Sequence, residues 1–341
     1  MQYTEVQTFI AKSELVPIVD VRSPKEYAEG HIPQAHNIPI FDNEERAIVG
    51  TLYKKKGRQA AILKGLEIIG PKMSKIAQEA LKLAPKGRLK VHCWRGGMRS
   101  ESMAWLFERV GLQVEVLQGG YKAYRRFCTA EMAKLNTLII LKGFTGSGKT
   151  EILYELEKRG EQIIDLEGLA HHRGSAFGGI GQEEQPTTQQ FQNDLYDKLA
   201  PLDKQKAIWV EGESQSIGRV FIPDPFWNVM RNSRIIEIAV PFRVRVQRLV
   251  SEYASLNAEE MEQAILKLER RLGNGKMKDI LAMFRAQDYE STASMLLAYY
   301  DKTYRHSDKN YAQNIQKIKV QSGDAATNAE ILLKELQRSQ G

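Results

Sequence analysis

One stretch constrains the fold more than any other. The apolar run Leu138-Ile139-Ile140-Leu141 leads, through Lys142, into Gly143-Phe144-Thr145-Gly146-Ser147-Gly148-Lys149-Thr150, which satisfies G-x-x-x-x-G-K-[ST]. The glycines let backbone N–H groups wrap a diphosphate, Lys149 brings a point charge to the outer phosphate, and the Thr150 hydroxyl can ligate Mg²⁺. Such a loop needs a strand before it and a helix after it. A helix does follow, with Ile152, Leu153 and Leu156 inward and Gly160 as its stop. This unit belongs in a parallel α/β sheet.

A second strand–loop–helix stands upstream. Leu89 to His92 is a short apolar strand that runs into Cys93-Trp94-Arg95-Gly96-Gly97-Met98-Arg99-Ser100. A helix is expected from Ser100, because Met103, Leu106, Phe107 and Val110 recur at the spacing of one buried face, and Gly111 ends it. Backbone N–H groups, the helix dipole, and the charges of Arg95 and Arg99 all favour an anion there. A cysteine in that field loses its proton readily, and its thiolate is a nucleophile. Cys93 is therefore read as a thiolate facing an anion cradle built by Arg95, Gly96, Gly97 and Arg99. Cys128 has no such setting and is read as structural.

The chain has 341 residues, enough for two domains, and the 42% hydrophobic content supports globular cores. A net charge of +7 and a pI of about 9.1 favour a polyanionic partner. Two cysteines cannot build a disulfide framework and suit a reducing, cytoplasmic setting. The N-terminus reads as no signal peptide, and no apolar run approaches membrane-spanning length. Nothing points to an obligate protein partner.

Residues 1–130 alternate strands and helices. Val16 to Val21 reads as a buried strand holding Asp20, Pro24 opens a short helix, and His31 to Pro39 is extended because its prolines disfavour helix. Helices follow near 59–69 and 71–83, and a strand over Val114–Leu117 closes on the turn Gln118-Gly119-Gly120. Four ordered motifs here resemble a rhodanese domain: Asp20-Val21-Arg22-Ser23-Pro24-x-Glu26-Tyr27, Gly30-His31-Ile32-Pro33-x-Ala35-x-Asn37-Ile38-Pro39, the cysteine loop, and Leu117-x-Gly119-Gly120. That resemblance implies a cysteine able to carry sulfur or selenium. The loop departs from most sulfurtransferases, however. Its C-x5-R spacing resembles dual-specificity phosphatases, whose cradle fits a phosphate-sized anion, so phosphatase chemistry stays open.

Residues 131–341 form the P-loop domain, with a basic, helical region expected beyond Pro241. The strand Ala207 to Val210 ends at Glu211-Gly212-Glu213, where a P-loop protein places a metal-orienting carboxylate. Glu211 and Glu213 are candidates for that role, with solvated loop carboxylates as the alternative. Asp165 to Gly178 reads as a Gly/Ser-rich loop carrying His171, His172 and Arg173. It is expected to close on a bound anion, and its adjacent histidines lack metal-ligand spacing. Arg243, Arg245 and Arg248 recur in one segment, and Lys267, Arg270, Arg271, Lys276 and Lys278 cluster farther on. Tyr299, Tyr300 and Tyr304 lie near Arg305 and His306. Basic residues with aromatics suit nucleic acid.

The whole chain resembles the bacterial tRNA 2-selenouridine synthase family, a rhodanese domain fused to a P-loop domain. The resemblance rests on Val49-Gly50-Thr51-Leu52-Tyr53-x-x-x-Gly57, Cys93 to Ser100, the P-loop, His172 to Gly178, and Glu211-x-Glu213-Ser214 to Ile217-Gly218. It implies that sulfur of wobble 2-thiouridine, in tRNAs for lysine, glutamate and glutamine, is replaced by selenium. Geranyl diphosphate would first alkylate the sulfur, and selenium from selenophosphate would then displace the geranyl thiol. On that implication the P-loop holds the diphosphate, with Mg²⁺ on Thr150, and the Cys93 cradle holds selenophosphate. Cys93 either carries selenium as a perselenide or holds the donor for direct transfer. Two rivals remain: a phosphatase–kinase type fusion that binds ATP, and a tRNA-binding protein without turnover.

Overall fold

A computed structural model describes residues 1–11, 16–175, 177–255, 257–307 and 315–338. The side chains of Tyr304, Arg305 and His306, and all of Ala176, lie outside the described residues. The chain divides into two compact units, Met1–Glu131 and Met132–Gly341.

The first unit is an α/β domain on one parallel sheet. Its elements are β1 (Gln2–Thr4), α1 (Val6–Phe9), β2 (Ile18–Asp20), α2 (Pro24–Glu29), β3 (His36–Asn37), α3 (Asn43–Ile69), α4 (Met73–Leu83), β4 (Arg88–His92), α5 (Met98–Arg109), β5 (Gln113–Leu117) and α6 (Gly120–Met132). The strand order is β1-β5-β4-β2-β3, and every pairing is parallel. Parallel strands need covered faces, and the central β4 is buried from Leu89 to His92, Lys90 and His92 included. Val19 pairs with Val91 and Asp20 with His92, so the Asp20 motif and the Cys93 loop leave the sheet at the same edge. Val19, Leu89, Val91, Val116 and Phe107 are fully buried in the core.

Helix α3 corrects the sequence reading. A helix was expected only near 59–69, yet α3 is a 27-residue element that starts at Asn43 and kinks at Gly57 (φ 86°, ψ 179°). Asp42 caps it: its side chain accepts from the Glu45 amide, and Glu45 reaches back to the Asp42 amide. Positive φ favours glycine, and a Cβ at Gly57 would touch nothing within 4 Å, so the need there is conformational rather than steric.

The second unit carries β6 (Leu138–Lys142), α7 (Lys149–Lys158), β7 (Gln162–Ile164), α8 (Leu166–Ala170), α9 (Thr188–Leu199), β8 (Ile208–Glu211), β9 (Ser216–Ile217), β10 (Val220–Phe221), α10 (Asp224–Asn232) and β11 (Arg234–Ala239). It continues through α11 (Phe242–Ser255), α12 (Ala258–Lys267), α13 (Glu269–Leu272), α14 (Asn274–Arg285), α15 (Tyr289–Ser307), β12 (Ile315–Lys319) and α16 (Ala325–Arg338). The sheet order is β12-β11-β6-β8-β7, parallel throughout, and β9 and β10 form a small antiparallel hairpin. The chain crosses from β6 to strands on either side. Ligands in such sheets sit beyond the carboxyl end of the strand where the winding reverses, and there the P-loop follows β6. The region beyond Pro241 is helical as expected except for β12, which pairs residue by residue with β11. Met261 and Ile265 of α12 and Leu268 just beyond it, the expected apolar side, are buried with Phe284 and Leu297 in a helical core. Among the described residues, no helix is long and apolar enough to cross a membrane.

Candidate functional site

In the first domain the site begins with the floor under Cys93. Asp20 and Arg22 are buried and form an ion pair, with Arg22 Nη2 2.6 Å from Asp20 Oδ2. Arg22 also donates to the Gly30 carbonyl at 2.6 Å and lies over the Tyr121 ring at 4.0 Å. His92 Nε2 sits 3.8 Å from Asp20. Burial lowers the His92 pKa, which favours the neutral ring. Burial also pushes the Asp20 carboxyl up, but the positive charge His92 takes on at acid pH, with the hydrogen bonds and charge of Arg22, outweighs it and holds it below its usual value. The rhodanese-like motif around Asp20 thus locks the ends of β2 and β4 together.

The Cys93 loop is clamped from the opposite side by α6. Tyr121 N donates to Cys93 O at 2.8 Å and Lys122 N to Trp94 O at 3.0 Å. The backbones approach so closely that only glycine fits. A Cβ at Gly96 (φ 64°) would lie 2.5 Å from Leu117 O, and one at Gly120 (φ 60°) would lie 2.4 Å from Cys93 O. The Leu117-x-Gly119-Gly120 motif exists to let this turn nest against the loop.

Helix α5 starts at Met98, two residues before its expected start at Ser100. Its first-turn amides lack intrahelical acceptors and open on the loop. The Cys93 Sγ is buried and lies 3.3 Å from Ser100 Oγ, and Ser100 Oγ donates to Gly97 O at 2.9 Å. Arg99 donates to both oxygens of Glu26, at 2.6 and 3.2 Å. Glu26 is also the third-position partner in the capping box of α2, whose N-cap is Ser23, and accepts from the Ser23 amide at 3.2 Å. Arg95 is exposed at the loop. Arg95, Gly97 and Arg99 line, with Cys93, a cavity of about 880 Å³ whose other walls come mostly from α3, with Ile40 and Phe41 ahead of it and Met98 and Ser102 on α5. Ser100 and Glu26 escaped the sequence reading as site residues. Ser100 follows the C-x5-R motif directly, which was the available signal, whereas Glu26 is 73 residues from Arg99.

In the second domain, Gly143 to Thr150 joins β6 to α7 as the motif requires. Gly146 and Gly148 take positive φ. Ser147 Oγ donates to Phe144 O at 2.5 Å and ties the loop across its base. Thr150 Oγ1 donates toward Glu167 at 3.2 Å and Glu211 at 3.3 Å, and Lys149 Nζ is 3.6 Å from Glu213 Oε1. Glu211 also accepts from the Leu166 amide at 2.6 Å. Both glutamates are buried, not solvated loop carboxylates. Burial, reinforced by Asp165, Glu167 and Glu213, raises the Glu211 pKa well above the usual range. Burial pushes Glu213 up to about 7 despite Lys149 beside it.

The Asp165 to Gly178 segment is more ordered than a flexible loop. Its start forms α8, capped by the Asp165 side chain on the Gly168 amide, and Arg173 N donates to Gly178 O at 2.9 Å. It packs onto the carboxylates: a Cβ at Gly174 would lie 2.5 Å from Glu213 Oε2. Arg173 lines a cavity of about 590 Å³ together with the P-loop residues, Asp165, Glu167, Glu213 and Arg248. His172 does not line that cavity. Its ring is partly buried, and burial lowers its pKa.

Two basic residues expected on a nucleic-acid face belong to this site instead. Arg245 is buried, ion-paired with Asp301 at 2.7 Å, and donates to Thr145 O at 3.2 Å. Arg248 pairs with Glu151, and with Glu252 at 3.3 Å. Tyr300 is packed into the helical core, so it cannot stack on a base. Among the described residues, no group of three or more acidic, histidine or cysteine side chains is placed to hold a metal alone. The Thr150 hydroxyl beside two carboxylates is nonetheless an oxygen-only donor set, which fits Mg²⁺ completed by phosphate and water.

Fold and sites together define a rhodanese-like domain followed by a P-loop α/β domain. Comparisons with known proteins agree with this class. A model of the rhodanese-like domain matches residues 3–127, and a model of the tRNA 2-selenouridine synthase AAA domain matches residues 136–338. The tRNA 2-selenouridine synthase of Nitrosomonas europaea is 34% identical over 295 residues, spanning 83% of this chain and 75% of that protein. Its counterpart in Shewanella sediminis is 33% identical over 341 residues, 88% of this chain and 90% of that protein. The one in Bdellovibrio bacteriovorus is 35% identical over 308 residues, 78% and 79% of the two chains. The chain belongs to the tRNA 2-selenouridine synthase family.

Proposed function

We propose that this chain replaces the sulfur of wobble 2-thiouridine by selenium in tRNAs for lysine, glutamate and glutamine. One observation carries the reading: a chain of this family holds two different anion loops, a C-x5-R cysteine loop and a diphosphate-type P-loop, one in each domain.

The thiocarbonyl sulfur is a poor leaving group, so the first step alkylates it. A bond forms between sulfur and C1 of geranyl diphosphate, diphosphate departs with the electrons of the C–O bond, and the uridine N3 proton is lost. Lys149, Arg173 and Arg248 line the cavity where negative charge would grow on the leaving group, and such preorganised charge lowers the barrier. Mg²⁺ on Thr150 would add positive charge beside the diphosphate. In the second step selenium of selenophosphate bonds to uridine C2, the C2–S bond breaks, and geranyl thiol leaves with a proton. Water then cleaves the Se–P bond and releases phosphate.

Electron balance separates the two roles open to Cys93. Selenium in selenophosphate is already at the selenide level. A perselenide on Cys93 would need a two-electron oxidant, whereas direct transfer needs none. Cys93 therefore holds the donor, with Arg95 and Arg99 on its oxygens. The net charge of +7 favours a polyanion such as tRNA. A phosphatase reading needs a general acid, and the cavity that Cys93 lines contains no aspartate or glutamate among its described lining residues. Purified protein given 2-thiouridine tRNA, geranyl diphosphate and selenophosphate, with each donor omitted in turn, tests the scheme by nucleoside mass spectrometry. Selenouridine formed without geranyl diphosphate would refute it.

A further inference from the structure

We propose that the first domain has its own prenyl pocket: the cavity beside Cys93 holds the geranyl chain of the S-geranylated uridine while selenium is delivered. This inference rests on the two-step reading above and extends it to a location.

The cavity is far larger than the donor needs. Selenophosphate has five heavy atoms, whereas about 880 Å³ is the size of a pocket for a drug-sized ligand, roughly 300–1,000 Å³. Its walls are apolar: Ile40, Phe41, Val49, Ile62, Leu66 and Ile69 face it. Tyr53 and Leu66, which also line it, are 59% and 61% exposed, so these apolar side chains face the cavity rather than the core. An anion alone gives no reason for such walls. The charged lining residues are all cationic, Arg46, Lys54 and Arg58 on α3 with Arg95 and Arg99 on the loop. Apolar walls under a cationic rim suit an amphiphile with a polyanionic end. An S-geranylated nucleotide within tRNA is such a molecule, and its reacting carbon must come to the Cys93 cradle.

The backbone of α3 explains how the hollow arises. Lining residues come from both arms of the helix, before and after the kink at Gly57. A straight helix would present one convex face, whereas the bent one encloses the space.

The test compares selenation of tRNA carrying S-geranyl-2-thiouridine with tRNA carrying S-methyl-2-thiouridine, using selenophosphate and single-turnover kinetics. Wild-type protein should favour the geranyl substrate by about 100-fold, because most of the chain is buried at the reacting step. Ile62→Trp and Ala47→Trp fill the cavity and should cut that ratio at least about tenfold. Ala47 is exposed, so Ala47→Asp, which puts a carboxylate into the wall without disturbing the core, should do the same if a tryptophan variant fails to fold. Equal rates for the two substrates in wild type, or an unchanged ratio in the folded variants, would overturn the pocket. Wild-type protein that consumes neither S-alkylated substrate would instead overturn the two-step reading, and the pocket with it.

Discussion

Glu26 shows how one side chain joins several layers of this molecule. It completes the capping box of α2 with Ser23 and holds Arg99 of the cysteine loop in a two-point ion pair. Burial pushes its carboxyl up, but the hydrogen bonds and charge of Arg99 outweigh that and keep it below the usual glutamate value. The pair's stabilisation is therefore present above the unfolded carboxyl pKa of about 4.3 and drains away as pH falls through the lower folded value. Glu26→Gln should cost about 1 kcal/mol at neutral pH and leave a smaller loss on acidification than wild type shows. Urea midpoints at about pH 7 and about pH 3.5 measure both. Lys149 makes a second case. It lines the P-loop cavity and sits beside Glu213, so on the proposed scheme Lys149→Ala should slow geranyl transfer about 100-fold or more, as loss of one charge-stabilising group commonly does. Single-turnover formation of S-geranyl-2-thiouridine checks that.

Elements differ in how plainly they stood in the chain. The P-loop and the cysteine loop were legible because each is a run of consecutive residues flanked by an apolar strand and a periodic helix. The first half of α3 was not legible: Glu44, Glu45, Lys54, Lys55 and Lys56 are mixed among its apolar residues, and Gly57 interrupts it. Strand β12 was not legible, since Gln316, Lys317 and Lys319 leave only Ile315 and Ile318 apolar on an edge strand, whereas β11 carries an apolar run in Ile235, Ile236 and Ile238. Contacts such as Arg99 with Glu26, or Thr150 with Glu167 and Glu211, join residues far apart in sequence, so only the fold discloses them. The clamp between α6 and the cysteine loop gives an element-level prediction. Gly120→Ala sets a methyl 2.4 Å from Cys93 O and should cost about 3 kcal/mol. Gly57→Ala meets nothing within 4 Å and should cost about 2 kcal/mol through its nearly glycine-only backbone conformation alone. Urea unfolding of both variants separates the steric cost from the conformational one.

At the scale of the whole molecule, each of two α/β domains, built on a parallel sheet, places a glycine-bearing strand–loop–helix turn at the carboxyl ends of its strands. Each loop has its own chemistry. The first offers a buried thiol with a serine hydroxyl against it and cations nearby, and the second offers a lysine, a threonine and buried carboxylates. Division of labour between them is the central claim, and one variant examines it most directly. Cys93→Ala protein, supplied with 2-thiouridine tRNA, geranyl diphosphate and selenophosphate, should convert the nucleoside to S-geranyl-2-thiouridine and stop there. Appearance of 2-selenouridine with that variant would contradict the account.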